Sequence, residues 1–199
     1  MRLGILGGTF DPPHNGHVRI GRAAQVQLRL DRVLFAPVGV QPLKQDRALS
    51  PPEHRAQMVR LAIAGEPGFE LSRIDLDRTG PHYTVDLLRI TTGIYPGAQF
   101  WFIMGGDSLG DLLRWRDPEQ LIELARLAVV KRPGAEPDWP MLVAALPDLG
   151  RRIDWVDVPP IDISGRDIRR RVREGAPFAG LVPPAVATYI LEQRLYLER

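Results

Sequence analysis

Apolar residues fall along the chain in short β-like runs separated by longer stretches with helical spacing. The runs Arg2–Leu6, Arg32–Pro37, Phe69–Ile74, Gln99–Met104, Leu127–Lys131 and Ile153–Val158 have the length and composition of strands. Between them, apolar positions recur at helical intervals around His17–Leu30, Pro51–Ala64, Thr84–Thr92 and Leu109–Leu124, and again near Asp138–Leu146. Ser50-Pro51-Pro52-Glu53 has the form of a capping box, with proline tolerated in the first turn. Ser164–Glu174 and Pro184–Gln193 read as two further helices that cap the sheet. Strand–helix alternation of this kind argues for a parallel sheet covered on both faces. The pattern therefore predicts an α/β fold, a doubly wound parallel sheet of Rossmann-like type with C-terminal helices. Ligands of such folds sit beyond the carboxyl ends of the strands.

At 199 residues the chain has the size of one domain over residues 1–199, with no internal repeat. It contains no cysteine, which removes disulfides, thiolate catalysis and cysteine-ligated metal. No apolar run approaches the roughly 20 residues that span a bilayer, and the N-terminus lacks a signal-peptide layout. A cytoplasmic protein without a membrane partner is expected. Of 26 basic residues only Lys44 and Lys131 are lysine, and the net charge is only +2. Arginines crowd 166–173, but no aromatic residues interleave with them, so nucleic acid is not an expected partner. A homo-oligomer is left open.

The densest chemistry follows the first strand. Gly7 to His17 reads Gly-Gly-Thr-Phe-Asp-Pro-Pro-His-Asn-Gly-His and runs into a helix. A strand-to-helix junction offers unpaired backbone N–H groups and the positive end of a helix dipole, a ready site for phosphate. Gly8 lets the backbone come close to a ligand, and His14 and His17 add donors that can carry charge. A zinc site would need more ligands, and the patterns His-Glu-x-x-His, Gly-x-Gly-x-x-Gly and the P-loop are all absent. Farther along, Ser164 is a plausible N-cap, and Arg169 lies within a turn or two of it, where its planar fork could hold a phosphate. Asp107, after Met104-Gly105-Gly106, reads on its own as a helix N-cap, and Trp115 reads equally as core.

The first motif resembles the signature of the cytidylyltransferase-like nucleotidyltransferase superfamily and, in detail, the bacterial nicotinate-nucleotide adenylyltransferase family. Matching elements follow in order from Gly7 to Arg169. The resemblance implies an enzyme of NAD biosynthesis that joins nicotinate mononucleotide to ATP, with Mg2+ accompanying the ATP. It implies catalytic roles for His14, His17 and Arg169. Gly8, Thr9, Phe10, Gly106, Asp107 and Ser164 would help them bind ATP, while Lys44, Thr84, Trp115 and Arg132 would meet the second substrate, with Trp115 stacked on the pyridine ring. The chain departs from the family at His82, where serine is usual before Tyr83-Thr84, at Leu43 before Lys44, and at Gly165 and Arg166, where Ser and Thr are usual. Nicotinamide mononucleotide and phosphopantetheine are the rival acceptors for the same chemistry. A non-catalytic nucleotide sensor is a rival of another class.

Overall fold

The computed structural model describes residues 1–39, 49–131 and 137–197. Its elements in chain order are β1 (Arg2–Gly8), α1 (Asn15–Gln27), β2 (Arg32–Pro37), α2 (Pro52–Ile63), β3 (Phe69–Leu71), α3 (Ile74–Asp77), α4 (Thr84–Ile94) and β4 (Gln99–Gly105). They continue as α5 (Gly106–Gly110), α6 (Pro118–Leu124), β5 (Arg126–Val130), α7 (Trp139–Ala145), α8 (Leu149–Arg152), β6 (Ile153–Val156), α9 (Gly165–Arg173) and α10 (Pro184–Glu192). Six strands form one sheet in the order β3-β2-β1-β4-β5-β6, with every pairing parallel. This is the order in which the chain winds outward from β1 in one direction and then from β4 in the other. The crevice between β1 and β4 is thus the topological switch point.

Alternation along each strand divides the core in two. Leu3 and Ile5 of β1, Leu34 of β2, Phe102 of β4 and Leu127 of β5 face one layer, with Leu88 of α4 and Leu121 of α6. Leu6, Val33, Phe35, Ile103 and Ala128 face the other, with Met58 of α2, Ile168 of α9 and Ile190 of α10. Both faces are therefore covered, which is why these strands read as continuous apolar runs. Among the described residues no helix is long and apolar enough to cross a membrane.

Three expectations are corrected. Leu109–Leu124 is not one helix: α5 ends at Gly110, a 3-10 turn covers Leu112–Arg114, and α6 starts afresh at Pro118. Pro118 disfavours helical backbone at the residue before it, and Asp117 is left-handed, with φ +47°. Ser50 does not cap α2. Pro51 stands at the N-cap without a side-chain bond, and the Ser50 backbone is engaged elsewhere, its N–H on Asp11 Oδ2 (3.1 Å). The third strand stops at Leu71, and Ile74–Asp77 turn into α3.

Candidate active site

Two cavities open at the carboxyl ends of β1 and β4. One, of about 370 Å3, lies between Gly8, Thr84, Phe102, Asp107 and Trp115. The other, of about 360 Å3, lies between Asp11, His14, Ser164, Arg166 and Arg169. His17 and Thr9 line both, so the two cavities meet at these side chains.

The histidine pair is set by the start of α1. His14 occupies the N-cap position with extended backbone, and its carbonyl accepts the His17 N–H at 2.9 Å. Its own N–H donates to His17 Nδ1 at 3.1 Å. Because Nδ1 accepts there, the ring proton of His17 is assigned to Nε2, which makes that nitrogen a donor. The two imidazoles stack with centroids 3.7 Å apart, and the Phe10 ring meets His17 edge-on at 4.8 Å. No acidic residue stands in the first turn of α1 to neutralise its positive end. Gly16 is required by close approach: a Cβ there would come within 2.7 Å of Ile161 and 3.0 Å of His14 Nδ1.

α9 completes the second cavity. Ser164 caps it, its Oγ accepting the Asp167 N–H at 3.1 Å. Arg169 donates through Nη1 to the Asp11 carbonyl. A Cβ at Gly165 would stand 3.1 Å from that same carbonyl and 3.5 Å from Arg169 Nη1. Arg170 and Arg171 both pair with Asp167, and Arg170 also with Glu174, so much of the exposed basic face is neutralised along the helix itself.

Behind the turn that runs from β1 to α1 lies a polar network without a role in the sequence analysis. Asp11 is 4% exposed; its Oδ1 accepts from Tyr196 Oη (2.7 Å) and its Oδ2 from the Ser50 N–H. Arg55 is 1% exposed and donates to the carbonyls of Thr9 (2.9 Å), Val38 (2.6 Å) and Ser50 (3.1 Å). Burial pulls the Arg55 pKa down, against the neighbouring Asp11 and Tyr196, which raise it. Asp11 belongs to the Gly7–His17 motif and Ser50 to the proline-rich start of α2, but nothing local in the sequence links either to Arg55 or Tyr196.

The first cavity is more apolar. Trp115 stands on the break that Pro118 enforces, with its ring edge-on to Phe102 at 5.9 Å. Thr84 opens α4 and Asp107 lies in the first turn of α5, both on the cavity wall. Gly106 is buried at the start of α5. His82, where the family has serine, also reaches this cavity, its Nε2 on the Arg78 carbonyl at 3.0 Å. Beside it Asp75 pairs with Arg78 at 2.8 Å, yet burial dominates and holds the Asp75 carboxyl above its usual range. Lys44 and Arg132 lie outside the described residues.

The cytidylyltransferase-like family model matches residues 5–171. A protein of Roseiflexus sp. (strain RS-1) described as "Probable nicotinate-nucleotide adenylyltransferase" is 46% identical, over 98% of this chain and 97% of its own. One of the same description from Herpetosiphon aurantiacus is 43% identical over 99% of both. Two solved structures of Plasmodium falciparum nicotinic acid mononucleotide adenylyltransferase share the fold. The one complexed with APC has a TM-score of 0.77 at 19% identity, covering 98% of this chain and 96% of that one. The one complexed with NaAD has a TM-score of 0.78 at 20% identity, covering 98% and 97%. With a family match over most of its length and relatives this similar from end to end, the chain belongs to the cytidylyltransferase-like family and, within it, to the nicotinate-nucleotide adenylyltransferases.

Proposed function

We propose that the chain transfers the adenylyl group of ATP to nicotinate mononucleotide, with the reacting phosphorus held where the two cavities meet. The observation that carries this reading is that His17 and Thr9 line both cavities, one polar and capped by α9, the other walled by Trp115 and Phe102. In the reaction an oxygen of the nicotinate mononucleotide phosphate bonds to the α-phosphorus of ATP. The bond from that phosphorus to the bridging oxygen breaks, its electron pair leaves with pyrophosphate, and nicotinate adenine dinucleotide remains. The attacking phosphate is largely ionised near neutral pH, so no base has to take a proton from it.

The work of the protein is then to place two substrates in line, which can remove about 7–11 kcal/mol of barrier. His17, with Nε2–H as donor, meets the α-phosphate. His14 and Arg169 meet the β- and γ-phosphates, and Ser164 holds the helix end that faces them. Gly8, Thr9 and Phe10 supply backbone close to the nucleotide, and Gly106 and Asp107 shape its pocket. On the acceptor side Trp115 stacks on the pyridine ring, and Thr84, at the N-terminus of α4, meets the pyridine carboxylate. Lys44 and Arg132 are assigned to substrate phosphates or ribose on the strength of the sequence pattern.

Mg2+ enters as the Mg·ATP complex. Among the described residues no three histidine, aspartate or glutamate side chains are grouped to cage a metal. That fits an ion which keeps its waters and is carried mainly by phosphate oxygens. The reading places the enzyme in the cytoplasm, where both substrates are small molecules in solution.

The test is pyrophosphate release from Mg·ATP with nicotinate mononucleotide, nicotinamide mononucleotide and phosphopantetheine offered in parallel. Preference for nicotinate mononucleotide is the expected result. Preference for either of the others would overturn the acceptor assigned to the Trp115 cavity.

A further inference from the structure

Tyr196 reaches Asp11, on the wall of the phosphate-side cavity, from a part of the chain that carries no recognisable motif. Its hydroxyl donates to Asp11 Oδ1 across 185 positions of sequence. Asp11 in turn holds two other segments, the Ser50 N–H through its second carboxylate oxygen and Arg169 through its backbone carbonyl. Both ends of this connection have unusual backbone. Phe10, just before Asp11, has φ +50°, and Tyr196 has φ +66°. Aromatic residues seldom enter the left-handed region, and such conformations persist only where the surroundings over-determine them. At Tyr196 the turn swings the phenol back from the end of α10 onto the loop. At Phe10 the strained turn is buttressed by Arg55 on the Thr9 carbonyl and by the bonds to Asp11. Burial beside the Asp11 carboxylate pushes the phenol pKa up, so the hydroxyl remains a donor.

We infer that Tyr196 is a positioning residue for ATP: by bonding the Asp11 carboxylate it fixes the turn that presents His14 and the carbonyl that aims Arg169. The inference rests on the reading that the ATP phosphates lie between that turn and α9. Donors aimed at a phosphate lose much of their effect when displaced by a fraction of an ångström, so a buttress several bonds away still governs them.

The test compares three variants in steady-state kinetics alongside their melting temperatures. Tyr196→Phe keeps the ring, which packs on the core, and removes only the hydroxyl. Tyr189→Phe removes a hydroxyl from α10 that bonds His54 Nδ1 at 2.9 Å and does not touch the loop. Arg169→Ala removes the guanidinium itself. Tyr196→Phe is expected to raise KM for ATP by roughly five- to tenfold, part of what a bond to a charged group is worth, with KM for nicotinate mononucleotide unchanged. Tyr189→Phe is expected to melt earlier with a wild-type KM for ATP. A wild-type KM for ATP in Tyr196→Phe overturns the inference, as does an equal rise in Tyr189→Phe, which would make the effect general loosening. If Arg169→Ala also leaves KM for ATP unchanged, the phosphate-site reading fails. If it raises KM and Tyr196→Phe does not, only the role of Tyr196 fails.

Discussion

At the N-terminal ends of the strands Arg2 lies over the Trp101 ring at 4.3 Å, and Trp101 Nε1 donates to Asp154 at 2.8 Å. Arg126 grips the same carboxylate with two bonds of 2.6 and 2.9 Å. At the C-terminal ends the same residue types, Arg169 and Trp115, border open space. Each end therefore carries arginine and tryptophan. At one end, with Asp154, they satisfy each other and brace the sheet; at the other they stand on the walls of two cavities. Residue type does not mark a site. What marks it is whether the side chain is enclosed by protein or borders a cavity.

If that contrast is right, damage at the C-terminal end should appear as lost activity. His17→Ala should lower kcat by about a thousandfold, at the upper end of what removing one pre-aimed donor costs, with an unchanged melting curve. Wild-type turnover in that variant would remove His17 from the reaction. Trp115→Ala should raise KM for nicotinate mononucleotide roughly tenfold through the lost stacking surface while KM for ATP holds. A shift confined to ATP would reverse the assignment of the cavities.

Damage at the other end should appear as lost stability. Asp154→Ala strands the N–H of buried Trp101 and leaves the Arg126 guanidinium only its bond to the Arg151 carbonyl, and should cost about 2 kcal/mol. For a chain of this size that is a fall of roughly 4–8 °C in Tm, measured by calorimetry, with kcat unchanged. The smallest effect is in pH. Burial pushes the Asp154 carboxyl up, but the bonds from Arg126 and Trp101 together outweigh it and hold it below its usual value. Arg171 and Arg170 do the same for Asp167. A carboxylate with a lowered folded pKa contributes stability above its unfolded value, and that stability is lost as pH falls through the folded one. Tm should therefore decline below about pH 4, and the decline should be shallower in Asp154→Ala. An identical acid limb in both proteins would show that Asp154 carries none of it.

The sheet was legible because its four inner strands, β2, β1, β4 and β5, are apolar on both faces; β2 spans the residues its pattern predicts and the other strands shift by only a few positions. The break before α6 was not, since Leu109, Leu112, Leu113, Leu121 and Ile122 keep an apolar period across it, and only Asp117-Pro118 signals the interruption. That break carries Trp115 to the cavity edge. Within the site, the contiguous motif from Gly7 to His17 announced itself by its composition. Asp11 was in plain view there, but its role depends on partners 39 and 185 positions away that no local pattern links to it. Ser50 looked like a helix cap because serine so often is one; the buried Asp11 carboxylate and Arg55 guanidinium claim its backbone instead.

The bond from Arg169 to the Asp11 carbonyl joins residues 158 positions apart. A ribosome adding about 5–20 residues per second needs on the order of ten to thirty seconds to pass from one to the other. During that interval the emerging chain already carries its glycines and both histidines but lacks the helix that closes over them. With the ATP phosphates between the Asp11 turn and α9, as proposed, cellular ATP has no finished seat on the nascent protein. Ligand stabilisation, which requires a folded binding state, begins only after α9 has been made and docked.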